Sequence, residues 1–459
     1  MNHFSDLKLD ARLTQGLDAL GYVTMTPIQA AALPLILAGR DLIAEAPTGS
    51  GKTAAFGLGL LQRLDVALIR SQALVLCPTR ELADQVAREI RRLATGMANL
   101  KVLLLTGGVS LRPQLASLVH DPQVVVGTPG RIGDLLGKQA LHLGGVRTLV
   151  LDEADRMLDM GFEDAIRKIA AKVGKDRQTL LFSATYPDGI RTLAKSLMRD
   201  PAEVSVAQAD SQPMVTQLFH EAELAEKPAA LAALLMQHRP ESAVVFCNTR
   251  RDTEDVAAVL NQFGFSALAL HGDMEQRDRD EILLRFANGS CNVLLASDVA
   301  ARGLDIKDLA AVVNFELPSD PDVYIHRIGR TGRAGRGGLA LSLVTPREMP
   351  RALALIDRHG KAIRWATVKP LTRRASNAPQ ASMATLVIDA GKTDKLRAGD
   401  ILGALTGDAG LSAEAIGKID IFATRSYVAI RREWLEQAFK RLVSGKIKGR
   451  SFRVRRMGE

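Results

Sequence analysis

The octapeptide APTGSGKT, Ala46 to Thr53, lies between two apolar runs, DLIAEA at Asp41 to Ala46 and AAFGLGLL at Ala54 to Leu61. That order reads as strand, glycine turn, helix. Gly49 and Gly51 allow backbone N–H groups to face inward as a concave anion cradle, with Pro47, Thr48 and Ser50 completing the turn. Lys52 can reach terminal phosphates and the Thr53 hydroxyl can hold Mg²⁺, so the stretch is a nucleotide-phosphate loop. Ala46 stands where the general pattern has its first glycine, and further support has to come from partners elsewhere in the chain.

Those partners follow other strands. ALVLC (Ala73 to Cys77), KVLLLT (Lys101 to Thr106), QVVVGT (Gln123 to Thr128), TLVLDE (Thr148 to Glu153) and TLLFSAT (Thr179 to Thr185) alternate with helical patterns. Short apolar runs of this kind are buried parallel strands joined by right-handed helical crossovers, and residues 1–207 read as a doubly wound α/β domain. Sites in such sheets lie beyond the carboxyl ends of the strands, where APTGSGKT, PTREL, TPGR, DEAD and SAT all fall. The pattern breaks over 208–213, and a second alternation runs over 214–365: SAVVFCNT, ALALHG, NVLLAS, AAVVNFE and LALSLVT. This second α/β domain has no phosphate loop. Residues 366–382 are polar, basic and interrupted by Pro370 and Pro379, and read as a linker. Over 383–459 the signals run strand, helix, strand, strand, helix, strand, the split βαβ order of RNA-recognition modules. A chain of 459 residues is long enough for about three domains at roughly 150 residues each.

Charge is unevenly placed. Residues 1–365 carry 42 Lys+Arg and 42 Asp+Glu, whereas 383–459 carry 15 against 9, so the excess sits in the C-terminal part and points to a polyanion partner. Cys77, Cys247 and Cys291 form no close pair, which argues against a disulfide framework or zinc site and for buried thiols in a reducing compartment. The N-terminus has no apolar core of signal-peptide length, and no run approaches the ~20 residues that span a bilayer, so the expectation is a soluble cytoplasmic protein with no membrane partner.

Asp152 and Glu153 close the strand TLVLDE. In phosphate-loop ATPases an acidic pair there holds Mg²⁺ (Asp152) and orients or deprotonates the attacking water (Glu153). HRIGRTGRAGR, His326 to Arg336, supplies the opposite charge from the second domain. An arginine delivered to the γ-phosphoryl oxygens stabilises a dissociative transition state, and Arg330 and Arg333 are the candidates. The interleaved Gly329, Gly332 and Gly335 favour close approach to a ligand over a structural helix.

The ordered series MTPIQ (Met25 to Gln29), APTGSGKT, PTRELA (Pro78 to Ala83), Gly107-Gly108, TPGR (Thr128 to Arg131), DEAD (Asp152 to Asp155), SAT (Ser183 to Thr185), VVFCNT, SDVAARGLDI (Ser297 to Ile306) and HRIGRTGR resembles the full DEAD-box RNA helicase set. The resemblance spans about Phe4 to Arg336 and implies two tandem RecA-like domains that close around ATP and RNA; Ala46 is normal for that superfamily. It implies that Tyr22 and Gln29 read the adenine, that Ala46 to Thr53 hold phosphates and Mg²⁺, that Asp305 meets the ribose, and that Thr24 and Gly303 also belong to the nucleotide site. A glutamine offers a donor and an acceptor to the adenine edge, which guanine would not satisfy. Ser183 and Thr185 would couple hydrolysis to closure. RNA contacts would come from Pro78, Thr79, Arg80, Gly108, Thr128, Arg131, Thr249, Gln276 and Arg279, reading backbone and 2′-hydroxyls without sequence information.

The C-terminal segment, ASMATLVIDAGKTDKLRAGDILGALTGDAGL through GKIKGRSFRVRRM, resembles the RNA-binding domain of one bacterial branch of that family. The resemblance implies a hairpin of 23S rRNA near the peptidyl-transferase centre as target, in maturing large (50S) subunits. The first strand has no aromatic and YVAIR supplies only Tyr427, so the expected binders are Tyr427 and the basic residues Lys392, Lys395, Arg397, Lys418, Arg425, Arg431, Lys446, Lys448 and Arg450. The expectation is an ATP-dependent RNA helicase that opens short duplexes. A general helicase with a tethering tail, and an ATP-gated RNA clamp that displaces no strand, are the other readings.

Overall fold

The computed structural model describes residues 2–47, 49–206, 215–301, 309–332, 337–359, 362–368, 378–407 and 410–458. These fall into two compact units, one up to Val206 and one from Val215 onward. The expected break at 208–213 and the middle of the expected linker, 369–377, lie outside the described residues.

The first unit holds a parallel seven-stranded sheet: β1 (Leu42–Glu45), β2 (Ala73–Leu76), β3 (Val102–Leu105), β4 (Val124–Gly127), β5 (Thr148–Asp152), β6 (Gln178–Ser183) and β7 (Ala202–Ser205). Its order is β3-β4-β2-β5-β6-β1-β7. The strands read as unbroken apolar runs because both faces are covered. Ala44, Val75, Val126 and Phe182 face one core with Phe56 and Ile90, while Ile43, Leu74, Val125 and Leu151 face another with Met157, Ile166 and Leu193. Only the edge strand β7 alternates half-buried with exposed residues, which is why its sequence carried no apolar-run signal.

The second unit contains a parallel sheet of β8 (Val215–Glu221), β9 (Ala243–Cys247), β10 (Ala267–Leu270), β11 (Val293–Ser297), β12 (Ala311–Asn314), β13 (Gly338–Val344) and β14 (Ile363–Trp365). Its order, β10-β11-β9-β12-β13-β8-β14, repeats that of the first sheet strand for strand. Together the two sheets make the expected tandem RecA-like pair.

The same unit includes a four-stranded antiparallel sheet of β15 (Met383–Ile388), β16 (Ile416–Ile421), β17 (Ser426–Arg431) and β18 (Val454–Arg456), ordered β16-β17-β15-β18. Leu386, Ile388, Val428 and Ile430 face the helices Ala398–Thr406 and Leu435–Ser444. The other face does not look to solvent. Val387 and Tyr427 pack on Leu284 of helix Gln276–Ala287, and Thr385, 3% exposed, exchanges hydrogen bonds with Asn288 (2.9 Å) and Ser290 (2.8 Å).

This docking revises two expectations. The end of the supposed linker is packed: Ala381 is buried, Asn292 donates to Pro379 O at 2.7 Å, and Met383 N donates to Gly289 O at 3.2 Å. Tyr427, an expected RNA contact, is 7% exposed, with its hydroxyl on Glu281 at 3.4 Å. The module has a second apolar face, and the helicase unit covers it. Among the described residues no helix is long and apolar enough to cross a membrane.

Candidate active site

The strand ends of the first unit place two groups of residues on one rim. The first gathers after β1, β5 and β6. Gly49 (φ 86°) and Gly51 (φ 96°) adopt left-handed backbone, and a Cβ on Gly51 would lie 2.5 Å from Gln29 Nε2, so only glycine allows the turn. Lys52 opens the helix Lys52–Gln62, and its buried ammonium donates to Ala46 O at 2.7 Å. Among the described residues, the buried hydroxyls of Ser50 and Thr26 have no hydrogen-bond partner. Thr53 follows on the same first turn. Thr48 lies outside the described residues.

Gln29 is 5% exposed. Its Oε1 accepts from Thr26 N at 2.9 Å and its Nε2 donates to Gly51 O at 3.0 Å, so one side chain locks the capped helix Pro27–Leu37 to the glycine turn. One lone pair and one N–H of the amide remain for a base edge. Tyr22 donates its hydroxyl to Glu89 at 3.0 Å and stacks on Phe4 at 6.4 Å; Phe4, far upstream, gave no sequence signal for this role. Thr24 is exposed nearby and bridges His3.

Asp152 ends β5, fully inside the protein. Burial pushes its carboxyl up to about 7; the Lys52 ammonium opposes the rise and the charge of Glu153 adds to it. Glu153 then takes a left-handed backbone (φ 51°, ψ 53°), a non-glycine conformation that costs about 1–3 kcal/mol and is retained at functional sites. Its carboxylate accepts from Arg156 at 2.9 Å, both side chains being buried. Asp155, given no role in the sequence analysis beyond the motif, is the junction of the rim: its Oδ2 accepts from Ala184 N, Thr185 N and Thr185 Oγ1, each at 3.1 Å, and its own N–H donates to Ser183 Oγ at 3.3 Å. The end of β5 and the end of β6 therefore move as one piece. Asp155 is the fourth residue of DEAD, and a position just past a strand end gives no hint of which loop it will clasp.

The second group gathers after β2, β3 and β4. Thr79 caps helix Arg80–Leu93 by accepting from Leu82 N at 3.2 Å, and Thr128 is the N-cap of helix Pro129–Gly137. Two helix N-termini thus share the rim, a favourable place for phosphates. Gly108 (φ 71°) and Gly107 lie under the Arg80 guanidinium, into which a Cβ on Gly108 would run. Arg131 donates to Val109 O at 3.1 Å. Pro78, Thr79, Arg80, Gly108, Thr128 and Arg131 are brought together on this rim.

In the second unit Thr249 caps helix Arg250–Gln262 by accepting from Asp252 N at 3.2 Å. Gln276 opens helix Gln276–Ala287 half-buried, but Arg279 is only 9% exposed and donates to His271 O (3.1 Å) and Ala300 O (3.4 Å). Arg279 therefore braces the loop from inside the fold. Arg330 is half-buried in the turn after helix Pro321–Ile328. That helix is anchored by Arg327, 2% exposed, which donates to Asp298 (2.6 and 2.7 Å), Asn314 (3.0 Å), Glu316 O (2.8 Å) and Asn248 (3.2 Å). Arg327 ties three strand ends to the segment carrying Arg330. Arg333, Gly303 and Asp305 lie outside the described residues.

The C-terminal basic residues separate into groups. Lys448 donates to Lys395 O at 3.3 Å and Arg450 to Asp394 at 3.3 Å, while Lys392 N donates to Phe422 O at 2.9 Å in the turn that leads to Arg425. Lys392, Lys395, Arg425, Lys448 and Arg450 so share the loop end of the module. Arg397 caps helix Ala398–Thr406, and Lys446 is exposed before the turn at Lys448 (φ 52°) and Gly449 (φ 77°). Lys418 and Arg431 lie apart, paired with Asp420 (3.2 Å) and Glu414 O (3.0 Å).

Comparison with known proteins shows the family. Residues 26–193 match the DEAD/DEAH box helicase family, 226–335 the helicase conserved C-terminal domain, and 385–456 the DbpA RNA binding domain. The chain is 53% identical to the ATP-dependent RNA helicase DbpA of Escherichia coli over 99% of both chains, and 45% identical to the ATP-dependent RNA helicase CshA of Listeria monocytogenes over 76% of this chain and 67% of that one. Among solved structures, Saccharomyces cerevisiae Dbp5 bound to RNA and ADP BeF3 is similar with TM-score 0.72 and 32% identity, covering 80% of this chain and 96% of that one. The chain belongs to the DEAD-box family of ATP-dependent RNA helicases and carries a C-terminal RNA-binding domain of the DbpA kind.

Proposed function

We propose that this helicase locally separates short RNA duplexes and is directed by its C-terminal module to a hairpin of 23S rRNA during assembly of the 50S subunit in the cytoplasm. The observation that carries the reading is the docking of that module on helix Gln276–Ala287. RNA held on the basic loops would lie beside a helix whose first residue, Gln276, is itself an expected RNA contact. Targeting and unwinding would then act on neighbouring stretches of one molecule.

In this reading ATP lies in the glycine cradle with its adenine at Gln29 and Tyr22, and Lys52 neutralises its terminal phosphates. The donor set suits Mg²⁺: the Thr53 hydroxyl and the buried Asp152 carboxylate are hard oxygen ligands, and phosphate and water oxygens would complete the shell. Bound there, Mg²⁺ supplies charge neutralisation of the phosphate oxygens. Glu153 accepts a proton from the attacking water, its direction set by its left-handed backbone and by Arg156. Asp155 couples that end of β5 to Ser183 and Thr185. Arg330, with Arg333, stabilises charge on the transferred phosphoryl group, and Asp305 meets the ribose, with Gly303 beside the nucleotide. Thr79, Thr128 and Thr249, each at a helix N-terminus, present backbone N–H groups to RNA phosphates.

The test is ATPase activity measured separately with total tRNA, mRNA and 23S rRNA, alongside displacement of a short strand from a duplex joined to the hairpin. The reading expects preferential stimulation by 23S rRNA and strand release. Equal stimulation by all three would leave a general helicase, and stimulation without strand release would leave a clamp.

A further inference from the structure

With the sheet face of the C-terminal module buried, an RNA base needs another surface on which to stack. Phe422 offers one. It is 49% exposed in the turn between β16 and β17, closed by its N–H donating to Arg425 O at 2.8 Å. Isolated exposed apolar side chains are common and by themselves mean little. This one is held from behind. Lys392 N donates to Phe422 O, and Thr393 N and Oγ1 both donate to Ala423 O, each at 2.9 Å. Gly391 permits this approach, because a Cβ there would run into Phe422 O and Ala423 O. The ring also rests edge-on against Tyr427, with centroids 5.5 Å apart and planes at 89°. Two loops and a buried aromatic thus fix an exposed ring that does not join the core.

Its surroundings suit RNA. Lys392 and Lys395 are exposed on the adjoining loop, and Arg425 stands at the other end of the turn, within 3.8 Å of Glu281 on helix Gln276–Ala287. The ring therefore sits at the seam where the module meets the helicase unit. An exposed aromatic bordered by cations takes the face of an unpaired base, with the flanking phosphates on the ammonium groups. The surplus of basic over acidic residues in 383–459 favours a polyanion over an acidic or apolar protein partner.

We propose that Phe422 is the stacking platform for one unpaired base of the RNA that the C-terminal module holds, with Lys392 on a neighbouring phosphate. The inference rests on the targeting reading above and adds to it the site and the element recognised, a splayed loop base rather than a stem.

The experiment measures binding of the full-length chain to three fluorescent hairpins with one common stem: the 23S loop, the same loop made abasic, and a scrambled loop of equal length. Phe422→Ala is expected to bind the 23S loop about tenfold more weakly, and Phe422→Trp to stay within about twofold of the unaltered chain. On the abasic loop all three chains should bind alike, and the salt dependence should be the same for each because no phosphate contact is lost. Retention of affinity in Phe422→Ala, or an equal loss on intact and abasic loops, overturns the proposal. A chain that binds 23S and scrambled loops equally fails the targeting reading instead, and the intact-against-abasic difference still decides Phe422.

Discussion

The two parallel sheets share one strand order, so each strand end of the first unit has a counterpart in the second. After β2 and β9 the rims are near copies: Cys77-Pro78-Thr79-Arg80 and Cys247-Asn248-Thr249-Arg250, with each threonine capping its helix at 3.2 Å. After β1 and β8 they part. Lys52 and Lys227 both open the helix that follows, and both ammonium groups are buried. Lys52, behind a glycine turn, donates to Ala46 O. Lys227 has no glycine turn before it and donates to Phe315 O and Glu348, both at 2.7 Å, while Leu317 N donates to the other Glu348 oxygen at 2.9 Å. The fold decides where a cation is presented, and the rim residues decide whether it meets a ligand or the chain's own carboxylate.

The carboxylates answer in opposite directions. Burial pushes Asp152 up to about 7 despite Lys52. Burial also pushes on Glu348, but the hydrogen bonds from Lys227 and Thr345 outweigh it and hold that carboxyl below its ordinary range. A buried carboxylate bonded directly to an ammonium is held ionised; one without that bond holds its proton more tightly than in water.

Breaking the first rim should stop chemistry. Glu153→Gln is expected to lower ATP turnover by about 10⁴-fold while keeping ATP and RNA bound, and Lys52→Ala to lose ATP affinity as well. Lys227→Met should leave turnover per folded molecule unchanged. Single-turnover assays with nucleotide titrations check all three, and near-normal hydrolysis in either first-rim variant removes the assignment. Arg330→Ala comes next, at about 10³-fold in turnover with ATP affinity little altered. A comparable loss of affinity would make Arg330 a binding residue instead.

Breaking the second rim should cost stability. Glu348→Gln leaves a buried ammonium without its counter-charge, a loss of about 3–5 kcal/mol, and the paired change Lys227→Met with Glu348→Leu should recover most of it in thermal melts. Because the folded pKa of Glu348 is depressed, its contribution is present above its unfolded pKa and lost as pH falls through the folded one. The deficit of Glu348→Gln should therefore shrink in acid, and a constant deficit would mean packing, not charge. The smallest effect belongs to Asp152. Its folded pKa is raised, so its contribution to stability is greatest below about pH 4 and is lost as pH rises through about 7. In metal-free buffer Asp152→Asn should raise the melting temperature more at pH 8 than at pH 5. An equal shift at both would contradict the burial account.

Most of the first rim was legible from residue order, because its function needs fixed types at strand ends: glycines for left-handed backbone, a lysine at a helix start, carboxylates after β5. Asp155, Arg327 and Phe4 were not legible, since each acts on a partner brought to it by folding. Their residue types are common, and no spacing along the chain marks which loop a carboxylate or guanidinium will bridge.

The C-terminal module draws the same line most sharply. Its strand and helix order, its basic surplus and its RNA-binding character follow from local pattern and composition, because period and charge are properties of the chain itself. Which face of its sheet remains available is a property of shape. ATLVIDA alternates Leu386 and Ile388 with Thr385 and Val387, and both sets are buried, one by the module's own helices and the other by Leu284, Asn288 and Ser290. Alternation along a strand says that two faces differ and is silent on what covers the second. Only the tertiary structure closed that face, covered Tyr427 and left Phe422 exposed at the seam, because burial depends on surfaces that meet across 95 to 146 residues of chain.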